Sequence, residues 1–312
     1  MLSRRSLLAA LPAIGVAAAS ASAASGKLLR IGFQKGEPIL LAAKQQHRLE
    51  ALLNPLGVDV QWIEFQFGPP LLEAMRVGAI DIGAVGDTPP VFAQAAHGDL
   101  LYIAVQRSGG QAILVPPGSP LQTLHDLKGR KVAFGRGSSA HNLTIAALEK
   151  GGLTYADIQP IYLGPADAGA AFERGAIDAW TIWDPYYALF ETRPGVRVLA
   201  KWTDITEQNS FFMASRRYVE ANASVISQLV GEFARMAAWA REHRPELAAL
   251  VAKETGMPLD AVQRATERAP FEVLPMDDAI ASTQQTVANR FRSLGLIPAD
   301  IRIGDQVWKA ST

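Results

Sequence analysis

The sequence contains part of itself twice. Gly78-Ala79-Ile80-Asp81 returns as Gly175-Ala176-Ile177-Asp178, a shift of 97 residues that also carries Phe65 onto Tyr162 and Asp87 onto Asp184. Each copy reads as a strand, a Gly-Pro step, a short helix, the Gly-Ala-Ile-Asp strand, then an Asp just ahead of proline and another helix. Upstream, at a slightly different offset, Ile31-Gly32-Phe33-Gln34-Lys35-Gly36 resembles Val132-Ala133-Phe134-Gly135-Arg136-Gly137. In both, a strand ends in a basic, Gly-containing turn that enters a helix. Strand-like and helix-like runs alternate from Leu28 to about Leu199, the pattern of an α/β fold with mostly parallel sheets. Two copies of one βα unit predict two similar lobes. Ligands of open α/β sheets sit beyond the carboxyl ends of the strands, so matching strand ends facing each other make a clamp.

The chain begins with Arg4 and Arg5, no acid, an apolar Ala-rich run from Leu7 to Ala19, and Ala21-Ser22-Ala23. That is an export signal over residues 1–23, cleaved after a small residue. Ser3-Arg4-Arg5-Ser6-Leu7-Leu8 also reads as a twin-arginine signal, against an ordinary secretory signal with adjacent arginines. The expected compartment is the periplasm, where NAD and ATP are poor candidate partners, and no cofactor is expected. Thirty basic residues balance thirty acidic ones, so no basic field for nucleic acid exists. The absence of cysteine excludes disulfides, thiolate metal sites and a cysteine nucleophile.

The strand ends carry anion-binding chemistry. After the Lys131–Phe134 run comes Gly135-Arg136-Gly137-Ser138-Ser139-Ala140-His141-Asn142, then a helix. The Gly-x-Gly-x-x-Ala spacing matches a dinucleotide fingerprint, but an exported chain with the motif in its second half argues against that cofactor. Glycines still let backbone approach a ligand, and a helix N-terminus offers free N–H groups. Ser138 or Ser139 alone reads as a helix cap; together with His141 and Asn142 they read as donors to a small anion. Gly86, Asp87 and Thr88 form the matching corner of the first copy, with Asp87 open to a simple capping role. Trp183 and Asp184, followed by Pro185, Tyr186 and Tyr187, suit an apolar ligand body. Gln34 and Lys35 complete the ring, and Arg107 stands before the next strand, facing either way. Ser138 and His141 share one helical turn, a poor nucleophile–base arrangement. The five histidines show no metal spacing.

From about Arg216 the reading is helical: Val219 to Arg241, Pro245 to Thr255, Leu259 to Glu267 and Met276 to Leu294. These helices are expected to pack on the first lobe behind the cleft. Ala112–Val115 and Phe211–Ala214 are expected to cross between lobes as a two-strand hinge. Lobe I then comprises residues 24–110 and 212–312, and lobe II residues 111–211.

These residues together resemble a family. The runs Ile31–Gly36, Gly86–Ala95, Gly137–Leu143, Pro165–Ala168 and Asp178–Tyr187 are similar to the periplasmic aliphatic-sulfonate-binding proteins of ABC importers, across essentially the whole mature chain. Gly-Asp-x-Pro-Pro and Trp-Asp-Pro-Tyr-Tyr are the most specific pieces. The resemblance implies a two-lobed type II solute-binding protein, a monomer that takes an alkanesulfonate and delivers it to an inner-membrane permease with its ATPase for sulfur supply. Taurine, nitrate and thiamine-precursor receptors share the scaffold. A sulfonate has three acceptor oxygens and no donor, so neutral hydroxyls, amides and helix N-termini satisfy it without a buried counter-charge. A hydrolase using Ser138 or His141 is the reading from a different class, separable by turnover of an ester or amide.

Overall fold

The computed structural model describes residues 27–107 and 109–309; the export signal lies outside the described residues. The first half alternates β1 (Lys27–Phe33), α1 (Pro38–Gln45), α2 (Arg48–Leu53), β2 (Val58–Glu64), α3 (Gly68–Arg76), β3 (Ile82–Gly86), α4 (Thr88–Ala95) and β4 (Leu100–Arg107). Then follow β5 (Gln111–Val115), β6 (Lys131–Phe134), α5 (Ser139–Lys150), β7 (Gln159–Tyr162), α6 (Pro165–Glu173), β8 (Ala179–Trp183), α7 (Tyr186–Phe190) and β9 (Arg197–Lys201). The chain closes with β10 (Asn209–Ser215), α8 (Arg216–Ala221), α9 (Ala223–Glu242), α10 (Arg244–Thr255), α11 (Leu259–Arg268), β11 (Val273–Leu274) and α12 (Asp278–Ser293).

These strands form two sheets. One has the order β11-β4-β10-β3-β1-β2 and the other β7-β6-β8-β5-β9. Both are mixed rather than mostly parallel. β2, β1 and β3 run parallel while β10 opposes β3 and β4; β7, β6 and β8 run parallel while β5 opposes β8 and β9. Each sheet is covered on both faces. Helices α1, α2, α9 and α10 bury one face of the first, and α3, α4 and α12 bury the other. Helix α5 covers one face of the second, α6 and α7 the other. Burying each large aliphatic or Phe side chain contributes about 1.5–3 kcal/mol.

The internal repeat has a mechanical basis. A shift of 97 residues lays α3 on α6 and β3 on β8 end to end. Gly78 and Gly175 each follow the helix with φ of 75° and 65°. Ala79 N–H donates to Ala74 O at 2.8 Å, and Ala176 N–H to Ala171 O at 2.9 Å. Both are left-handed helix stops of the Schellman kind, where glycine avoids a Cβ clash. The following Asp81 accepts from Arg30 N–H at 3.0 Å and Asp178 from Lys131 N–H at 2.8 Å. Each Asp thus clips the start of its strand to the neighbouring strand, far from the strands' carboxyl ends.

Three expectations need correction. Ala112–Val115 lies wholly within β5 and Phe211–Ala214 wholly within β10, because each strand pairs on both sides within a single sheet. The chain instead passes between sheets in the segments joining Arg107 to Gln111 and Lys201 to Asn209. A boundary between residues 211 and 212 therefore falls inside a strand of the first sheet. The tail helices also do more than pack behind the cleft: α11 lies against α7, and residues of α10, α11 and the segment after them wall the space between the sheets.

Candidate functional site

Four strands end at one place. β1 and β3 deliver Gln34 and Gly86 from the first sheet, while β6 and β8 deliver Ser138, Ser139, Trp183 and Asp184 from the second. They line a cleft cavity of about 110 Å³. A single water needs about 10–15 Å³ by the same measure, so a small organic molecule fits. Across it the sheets touch. A Cβ on Gly86 would lie 2.8 Å from Ser139 Cβ, and one on Gly36 would lie 3.0 Å from Asp184 O. Gly110 is a neighbour of Asp184 in the second sheet, and a Cβ there would fall 2.2 Å from Asp184 Oδ2 and 2.4 Å from Cδ of Arg268 in α11. Only glycine permits that closeness.

At the Ser139 side the helix α5 begins. Ser138 occupies its N-cap position without capping it; its hydroxyl donates to Gly135 O at 2.7 Å and pins the turn. Ser139 lies on the cavity wall beside Gly86. The helix's first N–H groups point to this end, carrying a partial positive charge. Of the cleft residues expected from sequence, Gln34, Gly86, Arg107, Ser138, Ser139, Trp183 and Asp184 line the cavity. Some are already engaged: Gln34 Nε2 donates to Ala84 O at 2.7 Å. Arg107 Nη1 pairs with Glu207 Oε1 at 2.7 Å and donates to Asn209 Oδ1 at 3.0 Å.

Asp87, Thr88, His141 and Asn142 do not reach the cavity wall. They sit behind it, buried, with protein partners. Thr88 Oγ1 donates to Asp87 Oδ1 at 2.8 Å, and Asn142 Nδ2 to Asp87 Oδ2 at 2.7 Å. Arg290 Nη1 donates to Asn142 Oδ1 at 2.7 Å. Burial pushes the Asp87 carboxyl up to about 6, against the Thr88 and Asn142 hydrogen bonds and the Arg290 charge. His141 stacks on Phe134 at 4.8 Å. Its Nδ1 accepts from Gly137 N–H at 3.2 Å and its Nε2 meets Tyr155 Oη at 3.0 Å, the pattern of a neutral imidazole. Burial pushes it down to about 3. A base so placed and a serine hydroxyl turned to Gly135 make no nucleophile pair.

Sequence reasoning missed several wall residues. Glu37, Gln106 and Gln111 face the cavity, with Val251, Val262, Ala265, Ala269 and Phe271 as its apolar wall. The apolar wall had no readable signal, since these positions look like ordinary core residues. Glu37 was adjacent to the Gln34–Lys35 turn and could have been found there. Asp184, flanked by Arg268 Nε at 3.4 Å, is pushed up by burial to about 7, the arginine opposing. Among the described residues no cluster of metal-ligating side chains occurs, and no helix is long and apolar enough to cross a membrane.

Two double-covered α/β sheets presenting strand ends and a helix N-terminus to one shared cleft define a two-lobed solute-binding protein. The family described as ABC transporter, phosphonate, periplasmic substrate-binding protein matches residues 41–254. The periplasmic aliphatic sulphonate binding protein SsuA of Escherichia coli is 42% identical, with a TM-score of 0.84 over 92% of this chain and 93% of that one. The alkanesulfonate-binding protein SsuA of Xanthomonas axonopodis pv. citri, bound to MOPS, is 40% identical, with a TM-score of 0.86 over 92% of this chain and 100% of that one. The taurine-binding periplasmic protein of Escherichia coli is 27% identical over 186 residues, 59% of this chain and 54% of that one. The chain belongs to the family of periplasmic substrate-binding proteins of ABC transporters. It is a binding protein, not an enzyme.

Proposed function

We propose that this protein captures aliphatic sulfonates in the cleft and hands them to an inner-membrane ABC permease driven by its ATPase, feeding sulfur assimilation. The supporting observation is the full-length likeness to sulfonate receptors at 40–42% identity, joined to a cleft that meets the anion with helix amides and Ser139. The taurine-binding relative covers just over half of the chain, and the family description names phosphonate; the full-length relatives favour sulfonate. The sulfonate head lies at the N-terminus of α5, beside Ser138, Ser139 and Gly86. Its organic part rests on Trp183 and the α10–α11 wall. Asp87, Thr88, His141 and Asn142 support the head site from behind, rather than touching the ligand. The receptor acts as a monomer of two lobes, exported through residues 1–23 by the twin-arginine or general secretory route. Alkanesulfonates bind only the folded state, so they raise the melting temperature. The test is a thermal shift series with methane-, ethane- and butanesulfonate, taurine and nitrate. A shift with nitrate or taurine alone would overturn the assignment.

A further inference from the structure

Among the described residues, three that are not glycine have left-handed backbone: His47, His97 and Phe271, with φ of 51°, 60° and 49°. His47 and His97 are exposed, in the turns that follow α1 and α4. Histidine is enriched in this region; for a bulky phenylalanine it is an outlier. Phe271 is 1% exposed and lines the cleft cavity with Val251, Val262, Ala265 and Ala269. Strain of this kind persists only where the surroundings over-determine it.

The surroundings of Phe271 do so through two arginines of the tail helices. Arg241, in the last turn of α9, donates from Nη1 to Phe271 O at 2.9 Å. Arg244, at the start of α10, holds its guanidinium 5.1 Å from the centre of the Phe271 ring. Its Nη1 also donates to Ala269 O at 2.9 Å and to Thr266 O, carbonyls at the end of α11 that lack helical partners. On the other side, Glu272 O accepts from Arg107 N–H at 3.0 Å, and Val273 pairs with Gln106. The backbone before, at and after Phe271 is therefore held, together with one face of its ring. A turn needed only to join α11 to β11 would take glycine without strain. The chain instead keeps a phenyl ring there and grips it.

We propose that Phe271 is a specificity-determining residue, whose ring, positioned by Arg241 and Arg244, sets where the organic part of the ligand must end. This rests on the sulfonate assignment and deepens it. The head group is the same in every sulfonate, so discrimination among them falls to the wall that meets the tail. A methylene more or less in an apolar pocket changes binding only modestly, so a wall that yields selects little. A ring fixed by its backbone and by one face cannot step aside. Arg241 and Arg244 are positioning residues: neither lines the cavity, and both act through Phe271.

The test is calorimetric titration of the whole mature protein with butane-1-sulfonate and 4-phenylbutane-1-sulfonate. The two share a head and a chain and differ by one phenyl group at the tail. Truncating Phe271 leaves a ring-sized gap in an apolar wall, and gaps of that kind take up aromatic groups. In Phe271→Ala the ratio of the two affinities is expected to move toward the phenyl compound by about tenfold or more. Phe271→Gly adopts the left-handed backbone freely; it is expected to show the same shift and serves if the alanine variant does not fold. Arg244→Gln leaves the ring in place but ungripped, and is expected to move the ratio the same way by a smaller factor. Loss of stability alone would weaken both ligands alike and leave the ratio where it was. A ratio unchanged in both Phe271 variants, or loss of folding in both, would assign Phe271 to the core alone and overturn the proposal. An unchanged ratio in Arg244→Gln would overturn the positioning role. Binding of neither compound by any of these proteins would instead overturn the sulfonate assignment, and this proposal with it.

Discussion

Ser138 and Ser139 are neighbours with different work. Ser138 spends its proton on Gly135 O at 2.7 Å and holds the turn that aims α5, whereas Ser139 lies on the cavity wall where the sheets touch. Ser138→Ala is therefore expected to cost about 0.5–1.5 kcal/mol of stability and to change sulfonate affinity less than Ser139→Ala does. Ser139→Ala is expected to weaken binding about tenfold or more, as for loss of a hydrogen bond to a charged group, with little change in unfolding midpoint. Titration of both variants beside their denaturant curves checks this. The reverse pattern would show that Ser138 is the ligand contact. At this scale the sequence revealed the place but not the orientation. Two serines, His141 and Asn142 after a Gly-x-Gly turn signal a polar helix start. Only tertiary contacts show that His141 turns to Tyr155 and Phe134 and Asn142 to Asp87 and Arg290.

Among the elements, the repeat was legible because its signal is local: a glycine helix stop followed by an Asp clip. The clip itself differs in strength between the copies. Asp81 is buried and accepts from Arg30 side-chain Nε at 2.9 Å and Nη2 at 2.8 Å besides the backbone. Among the described residues the Asp178 carboxylate accepts only the Lys131 backbone N–H. Asp81→Ala is expected to cost about 1.5–3 kcal/mol, leaving a half-buried guanidinium unpaired, and Asp178→Ala about 0.5–1.5 kcal/mol. Urea unfolding of the two variants measures it, and equal costs would contradict the reading. The tail helices were legible as helices but not as part of the site. Their crossing contacts depend on Arg268 meeting Asp184 and Glu191 and on Arg290 meeting Glu149 and Asn142. Those pairs join residues far apart in the chain, and no local pattern carries them. The expected hinge strands failed for a related reason. An apolar run announces a buried strand but not which sheet it joins, and β5 and β10 each have neighbours on both sides.

For the molecule as a whole, the close approach of the two sheets depends on very few residues having no side chain. Gly36 and Gly86 allow the two sheets to meet at the cavity, and Gly110 lets Arg268 of α11 come close to Asp184. Water displaced by a bound ligand leaves each hydrogen bond to the anion stronger. It also sharpens the choice of anion. A sulfonate is singly charged and has no proton to place. A phosphonate brings either a second negative charge into a site without a dedicated cation, or a hydroxyl that needs an acceptor at the donor-rich end. The most direct measurement is calorimetric titration of the mature protein with butane-1-sulfonate and, separately, butylphosphonate at pH 7.5. The sulfonate is expected to bind at least about tenfold tighter. Tighter binding of the phosphonate, or no binding of the sulfonate, would contradict the account.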